Sequence, residues 1–230
     1  MDSLETELEA ARDLDEAALA DAIETIGFEC TRCGACCKGY EPEADEAQQA
    51  GTTDREPHTA TVFPDEVRTL QDTTDYDWRD VARPMPYGLS EGDDGPEGET
   101  FEWALQTDAC GDCTFYQEAD DGTGGCQVHE DRPLICQTYP FSVDLGGTSQ
   151  PMGEAVDEEG MVRAHECEGL GRDISREEAE ALAGALKERA VREIQEAIGV
   201  RDSYEPAAVD GVVVHDSEGA KRMDGRPIDE

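Results

Sequence analysis

The chain has 230 residues, enough for one domain of ordinary size with a single modest core. Its 57 Asp and Glu residues outnumber its 18 Lys and Arg residues, which gives a formal net charge of −39 at pH 7. This balance excludes direct nucleic-acid binding and attachment to an anionic membrane surface as expected functions, because both depend on clustered basic residues. We therefore predict neither a nucleic-acid partner nor a membrane partner.

Leu, Ile, Val and Phe together make up about 16% of the chain, a fraction that, with this charge, is typical of disordered proteins. A folded domain with so few large apolar residues needs another source of stability. Lysine occurs at three positions, against fifteen Arg residues. This acid-rich, Lys-poor composition resembles that of proteins from salt-accumulating halophilic archaea, where molar salt shortens the Debye length to about 3 Å. We interpret the acidity as an adaptation to a halophilic solvent rather than to a basic partner.

The first predicted element is a helix over Asp13–Ile26 that leads directly into Cys30. Asp13 and Glu16 are spaced as a capping box, apolar residues recur at helical spacing, and Gly27 suits the position after the last turn. Farther along, proline favours a helix start, and Gly- and acid-rich segments favour loops. The elements predicted there are a loop at 41–60, a helix at 64–71, a short turn at 78–82 and an exposed loop at 88–99.

The second half of the chain predicts a small antiparallel sheet and then a long helix. Ser175 and Glu178 form a capping box at the start of that helix, and Gly199 suits its end. Apolar residues alternate with polar residues or Ala in the segments that predict strands. These elements are strands at 101–105, 141–145 and 161–164, a helix at 175–198, an edge strand at 212–214 and a disordered tail at 216–230.

Together these elements predict an α+β fold, a small helix-rich domain with irregular cysteine-rich loops around a metal or iron–sulfur centre and a short antiparallel sheet. The chain divides accordingly into an N-terminal helical segment at 1–27, a cysteine-cluster metal-binding domain at 28–172, a C-terminal helix packed on that domain at 173–200, and an edge strand with a disordered tail at 201–230.

The nine cysteines make up about 4% of the chain, well below the fraction of a disulfide-rich scaffold. The N-terminus is acidic where a signal peptide would be basic, and no apolar stretch is long enough to span a bilayer. We therefore expect a cytoplasmic protein whose thiols stay reduced, and an odd number of cysteines cannot all be paired. Metal binding becomes the leading predicted use of the cysteines.

The cysteine spacing predicts a thiolate centre. Two residues separate Cys30 from Cys33 and Cys33 from Cys36, and a gap of this size lets a tight turn aim several thiolates at one ion or cluster. Gly34 lets the backbone fold closely behind Cys33. Residues 30–40 and 132–143 contain no acids, as expected beside a negatively charged metal–thiolate centre.

Zinc and iron–sulfur both remain open, because each accepts four thiolates. The first three cysteines match a bacterial ferredoxin run, but the fourth ligand followed by proline is missing. Cys36 and Cys37 are not expected to point into one small tetrahedron, so one of them would serve a second site or stay free. We interpret His129 and His165 as solvated or packed side chains rather than ligands.

The combined motif resembles the YkgJ-type cysteine-cluster family, which has a zinc- or iron-chelating domain and includes relatives of flagellin lysine N-methylase. The match covers about residues 28–172 and includes the run from Gly125 to Phe141. Cys110 lies outside the family pattern, and His129 stands where the family usually has Tyr. The resemblance implies a bound metal or iron–sulfur centre, with ligands drawn from Cys30, Cys33, Cys36, Cys37, Cys113, Cys126, Cys136 and Cys167.

Three functions follow as hypotheses. The first is a cytoplasmic iron–sulfur protein, with 4Fe–4S as the favoured cluster, that acts in electron transfer with a redox partner, as an oxidoreductase or as an accessory protein. The second is a structural zinc protein that binds another protein, with the metal compensating for the sparse core. The third, suggested by the family relatives alone, is a protein lysine N-methylase-like enzyme. The sequence identifies no catalytic residue.

Overall fold

The computed structural model describes residues 3–40, 55–93, 95–147, 153–157, 160–207 and 209–228. Within these ranges the chain forms helices and several small sheets, which confirms the predicted α+β class. The helices are α1 (Leu4–Arg12), α2 (Glu16–Ile26), α3 (Pro64–Thr73), α4 (Trp78–Val81), α5 (Leu134–Thr138) and α6 (Arg176–Ser203). None of these helices is both long and apolar enough to cross a bilayer.

The strands are short, with two to six residues each. They are β1 (Thr61–Val62), β2 (Ala82–Pro84), β3 (Leu89–Gly92), β4 (Gly95–Thr100), β5 (Trp103–Leu105), β6 (Tyr116–Glu118), β7 (Gly124–Cys126), β8 (Phe141–Val143), β9 (Glu154–Ala155), β10 (Val162–Ala164), β11 (Val212–Asp216) and β12 (Gly219–Lys221).

The chain divides into two units, each made of segments that are separate in the sequence. The first unit comprises residues 1–31, 133–208 and 215–220, and the second comprises residues 32–132, 209–214 and 221–230. The division predicted from the sequence, at 27, 172 and 200, follows the linear order of the elements and stays a prediction.

Helix α6 organises the first unit, in which it packs with α1, α2 and α5. Ser175 caps α6 as predicted, since its hydroxyl accepts from the Glu178 N–H and the Glu178 carboxylate accepts from the Ser175 N–H at 3.0 Å. The helix does not end at Gly199 but continues to Ser203. Gly199 is needed inside the helix, because a Cβ there would lie 2.5 Å from the Cβ of Ser217.

The helix predicted over Asp13–Ile26 is wrong in its first residues. Asp13 is the C-cap of α1, and α2 begins at Glu16. Asp15 is the N-cap of α2, because its carboxylate accepts from the backbone N–H of Ala17 at 2.9 Å and of Ala18.

The apolar core of the first unit lies between these helices and a three-stranded sheet of order β8-β10-β9. β8 and β10 are antiparallel, with Phe141 opposite Ala164, as the sequence predicted for the 141–145 and 161–164 segments. The buried members of the core are Ala11, Leu14, Leu19, Ala20, Ile23, Phe141, Val143, Val162, Ala164, Ala179, Ala183, Leu186, Ala190 and Ile194.

The second unit is built from short strands and aromatic contacts. One sheet has the order β1-β5-β2, and β6 and β7 form a separate hairpin. Trp78 packs edge-to-face on Trp103 with ring centroids 5.1 Å apart, and Tyr76 stacks on Phe115 at 5.7 Å. These pairs supply much of the buried aromatic surface, beside buried aliphatic side chains such as Val67 and Leu70.

Two predictions in this unit are wrong. The segment at 88–99, predicted to be a loop, forms an antiparallel hairpin of β3 and β4. Residues 212–214 are not at an edge, because the strand order is β12-β11-β4-β3 and Val212–Val214 pair in parallel with Gly98–Thr100. Glycine allows the β3–β4 hairpin to pair closely, since a Cβ on Gly98, whose φ is +130°, would lie 2.5 Å from the Gly88 carbonyl oxygen.

The tail predicted to be disordered at 216–230 is ordered over its described residues, which end at 228. Gly225 lies on the face of Trp78, where a Cβ would be 2.6 Å from Cε2, and the Lys221 ammonium is 5.4 Å from a Trp78 ring centroid. The predicted loop at 41–60 falls largely outside the described residues, which resume at Arg55.

Candidate metal centre

The loop that carries Cys33, Cys36 and Cys37 is fixed by an unusual backbone. Arg32 has a φ of +58°, and its carbonyl accepts from the Gly124 N–H at 2.7 Å. Gly34 has a φ of +77° and opens a 3-10 turn over Ala35–Cys37, in which the Cys37 N–H donates to the Gly34 carbonyl at 2.9 Å. Left-handed backbone in a non-glycine residue is uncommon and is typical of functional loops.

Cys113 is joined to this loop through the backbone. Its N–H donates to the Cys37 carbonyl at 2.8 Å, and its own carbonyl accepts from the Tyr116 N–H at 2.9 Å. Tyr116 in turn pairs with Cys126 across the β6–β7 hairpin. Three segments distant in the sequence, which carry Cys37, Cys113 and Cys126, are therefore connected by backbone pairing within the second unit.

The thiols of this unit differ in their readiness to ionise. Cys36 Sγ lies 3.8 Å from Cys37 Sγ, and this contact, with a further contribution from the Arg132 guanidinium, lowers the pKa of Cys36 to about 7. Burial raises the pKa of Cys113 to about 11, and the charges of Cys126 and Cys36 contribute in the same direction. Burial also raises the pKa of Cys126, which Arg132 partly opposes.

These shifts have a chemical consequence for metal binding. A metal binds the thiolate, so binding releases the proton that each thiol holds. Cys36 is already partly ionised at neutral pH, whereas Cys113 is 7% exposed and stays protonated until a cation replaces its proton. The mutual repulsion of Cys36, Cys113 and Cys126 in the ionised state is the repulsion that a bound cation removes.

The first unit holds Cys30, Cys136 and Cys167. The segment before Cys30 pairs with the segment after Cys167, through a bridge between Phe28 and Leu170 and a bond from the Glu29 N–H to the Gly169 carbonyl at 3.1 Å. Thr31 and Glu168 are also hydrogen-bonded. Cys136 lies in α5, which has Pro133 as its N-cap rather than at the first helical position.

The structure brings some of the predicted donors near one another without gathering a complete site. All nine cysteines are described, and none of them forms a disulfide bond. Among the described residues, no group of three or more Cys, His, Asp or Glu side chains is arranged to hold one ion. The donor set suits zinc or iron in its chemistry, because soft thiolates are the ligands that both metals accept in four-cysteine sites.

The histidines and Cys110 lie in other surroundings. His129 Nδ1 is 3.2 Å from a carboxylate oxygen of Glu130, and the His165 ring packs edge-to-face on Tyr139 at 6.0 Å. The Cys110 carbonyl accepts from the Arg55 guanidinium at 2.8 Å, and the Cys110 side chain is exposed.

Sequence reasoning missed a polar group beside the cysteine loop. Lys38 pairs with Glu118, and the Tyr116 hydroxyl donates to the same Glu118 carboxylate at 2.8 Å. The Lys38 ammonium also lies 5.2 Å from the Tyr116 ring centroid. Tyr116 stands within the cysteine motif, but the residue order alone gives no sign that its ring lies on Gly34.

Comparison with known families agrees with this arrangement. The family model CxxCxxCC, described as “Putative zinc- or iron-chelating domain”, matches residues 29–168. This range includes each of the nine cysteines. No curated protein and no solved structure matches the chain at a significant level.

Proposed function

The chain belongs to the CxxCxxCC family of zinc- or iron-chelating domains, and from this premise we propose that its thiolates hold an iron–sulfur cluster of the 4Fe–4S type that serves electron transfer. The observation that carries the proposal is the backbone pairing that joins the segments of Cys37, Cys113 and Cys126. Four of the eight family-type cysteines would hold the cluster, and the candidates in the second unit are Cys33, Cys36, Cys37, Cys113 and Cys126. Cys30, Cys136 and Cys167 are the candidates in the first unit.

The surroundings of the cysteine loop support a centre with net negative charge. Four thiolates around an iron–sulfur core leave such a charge, which nearby cations and N–H groups stabilise. The Arg132 guanidinium favours the ionised forms of Cys36 and Cys126, and the Cys36 backbone N–H favours the thiolate of its own side chain. Gly34 opens the 3-10 turn without a side-chain cap.

A bound iron–sulfur cluster supplies one-electron redox chemistry. The residues of this chain would hold the cluster, balance its charge and limit its contact with water. The proposal includes a cytoplasmic location, because thiols stay reduced there. It also includes a redox partner protein, because electron transfer requires one.

Structural zinc is the second candidate, and one specific observation favours it. Among its described residues the second unit is built from strands of six residues or fewer and helices of ten residues or fewer, around buried apolar side chains such as Leu70, Leu105 and Val213. A structural zinc site contributes on the order of 10 kcal/mol to folding, enough to stabilise a unit of this kind. In this role the second unit would present a rigid surface to another protein.

Anaerobic purification, followed by iron, sulfide and zinc analysis and a visible spectrum, tests the two candidates. Brown protein with iron and acid-labile sulfide supports the cluster, and colourless protein with stoichiometric zinc supports the structural site. Cys110→Ser is the matched control, since this thiol lies outside the proposed donor set. Protein that retains no metal after anaerobic purification and after reconstitution would contradict both candidates.

A further inference from the structure

Tyr116 contacts each of the cysteine-bearing segments of the second unit. Its N–H bonds to the Cys113 carbonyl, it pairs with Cys126 across the hairpin, and its ring lies on the loop between Cys33 and Cys36. The ring is half-buried, and the hydroxyl is held by Glu118. One residue, through its backbone at two places and its ring at the third, therefore touches the segments from which the proposed donors of this unit come.

The contact between this ring and the loop is close enough to require glycine. A Cβ on Gly34 would lie 2.6 Å from both Cε2 and Cζ of Tyr116. On the opposite strand, a Cβ on Gly124 would lie 2.9 Å from Tyr116 Cε2 and 2.8 Å from the Arg32 carbonyl oxygen. The ring thus fills the space that side chains at Gly34 and Gly124 would occupy.

Polar contacts hold the ring in this place. Glu118 accepts from the Tyr116 hydroxyl and pairs with Lys38, the residue that follows Cys37. The Lys38 ammonium lies over the Tyr116 ring, 5.2 Å from its centroid. The end of the cysteine loop is therefore tied to β6 by a cation that contacts both the ring and the carboxylate.

We propose that Tyr116 is a positioning residue for the thiolate centre, whose ring holds the Cys33–Cys37 loop in register with Cys113 and Cys126 and slows release of the bound metal. The proposal rests on the proposed function, because it assumes that these thiolates bind metal. It adds a specific role for a side chain that is not itself a ligand. Outer contacts of this kind change metal affinity by on the order of 10- to 100-fold.

The test uses the full chain, made metal-free and then loaded with Co²⁺, whose thiolate charge-transfer absorption reports the number and arrangement of sulfur ligands. Release to an excess of chelator is followed at the same wavelength. We expect Tyr116→Ala to release Co²⁺ on the order of 10- to 100-fold faster than the natural chain and to shift the absorption band. Tyr116→Phe keeps the ring on Gly34 and Gly124, and we expect it to restore both the spectrum and the slow release.

Tyr87→Ala is the matched control. Tyr87 also donates its hydroxyl to a carboxylate, that of Glu102, and it lies on a segment without cysteines. Circular dichroism of each variant separates loss of the fold from loss of the metal geometry. If Tyr116→Ala is folded and shows the natural spectrum and release rate, the positioning role is wrong while the proposed function stands. If the natural chain binds no Co²⁺ and retains no other metal, the proposed function itself fails.

Discussion

The two units of this protein are built from the same acid-rich chain but obtain their order in different ways. The first unit has a continuous apolar core around a 28-residue helix, to which α1 and α2 add buried faces. The second unit has strands of six residues or fewer and no helix longer than ten residues among its described parts. It also contains six of the nine cysteines.

This difference suggests how a chain with few large apolar residues can still fold. Most Leu and Ile side chains lie in the first unit, where helix packing buries them, whereas the buried aliphatic residues of the second unit are mainly Val. The second unit would depend on ligation in addition to its buried apolar side chains, because ligation cross-links its short strands and loops. The units should therefore respond differently to loss of metal and to loss of apolar contacts.

The largest expected effect is that of metal removal on the second unit. In low-salt buffer, chelation should abolish hydrogen-exchange protection in β6 and β7, because a structural metal contributes on the order of 10 kcal/mol. The amides of α6 should remain protected. Exchange measured by mass spectrometry on the intact protein, with metal loss verified, provides the comparison.

Salt serves as the control for this experiment. Molar potassium chloride screens the repulsion among 57 acidic residues and should raise the unfolding midpoint with and without metal, as the halophilic composition predicts. Equal loss of protection in α6 and in β6–β7 after chelation would show that the units do not differ in the way we infer.

Cys113→Ser should have the next largest effect, on metal content and on the second unit together. This thiol is buried and its backbone bonds to Cys37, so a serine there removes a thiolate donor held beside the cysteine loop. We expect metal content, measured by plasma emission, to fall sharply in Cys113→Ser. The exposed Cys110→Ser variant should keep nearly all of its metal, and equal losses in the two variants would contradict this assignment.

Leu186→Ala tests the comparison by removing apolar contacts from the first unit instead of metal. Leu186 is 1% exposed in the core of the first unit, and such a truncation costs about 2–5 kcal/mol. Chemical denaturation followed by circular dichroism should show a lower midpoint of the helical transition. Metal content in native buffer should stay unchanged. A loss of metal in Leu186→Ala would show that metal binding depends on the apolar core of the first unit.

A smaller effect concerns pH and the metal-free protein. The pKa of Cys36 is about 7, below the ordinary value of 9.0. Ionisation of Cys36 therefore contributes to the stability of the fold. This contribution is fully present above about pH 9 and is lost as the pH falls through about 7. Alkylation followed by mass spectrometry should show Cys36 labelling that declines from pH 8 to pH 6. Cys113, with a pKa of about 11, should stay almost unlabelled throughout, and labelling of both thiols at one rate would contradict these shifts.

The smallest effect is expected at the cap of α6. Ser175→Ala removes the acceptor for the Glu178 N–H and should cost about 1 kcal/mol in the free energy of unfolding of the first unit. Thermal unfolding measures this loss, and Ser175→Asp, which keeps a capping acceptor, should recover most of it. A stability equal to that of the natural chain in Ser175→Ala would show that the cap contributes nothing.

The sequence predicted best the features that depend on neighbouring residues. The Ser175 capping box, the helix after Pro64 and the antiparallel pairing of the 141–145 and 161–164 segments were all accessible from local patterns. The helix around Asp13 was misread because Asp13 and Asp15 are both plausible caps two residues apart, and only packing selects Asp15.

Features set by distant residues could not be predicted in this way. The glycines at 88–98 are typical of a loop in the sequence. A strand can be recognised there only once Val212–Val214 is known to pair with Gly98–Thr100. In the candidate site, the spacing of the cysteines together with the family resemblance predicted the donors proposed here. It could not show that Cys36 and Cys113 ionise at very different pH values, because burial and neighbouring charges determine that difference.

The parallel pairing of β11 with β4 also bears on the order of folding during synthesis. More than a hundred residues separate the two strands, and most of them belong to the first unit. Contacts so distant in sequence form slowly, because a long loop must close before they are made. The whole cysteine-bearing region therefore leaves the ribosome before β11, the strand that pairs with β4, has been synthesised. During that interval the thiols are open to metal delivery, before β11 and β12 complete the sheet of β3 and β4.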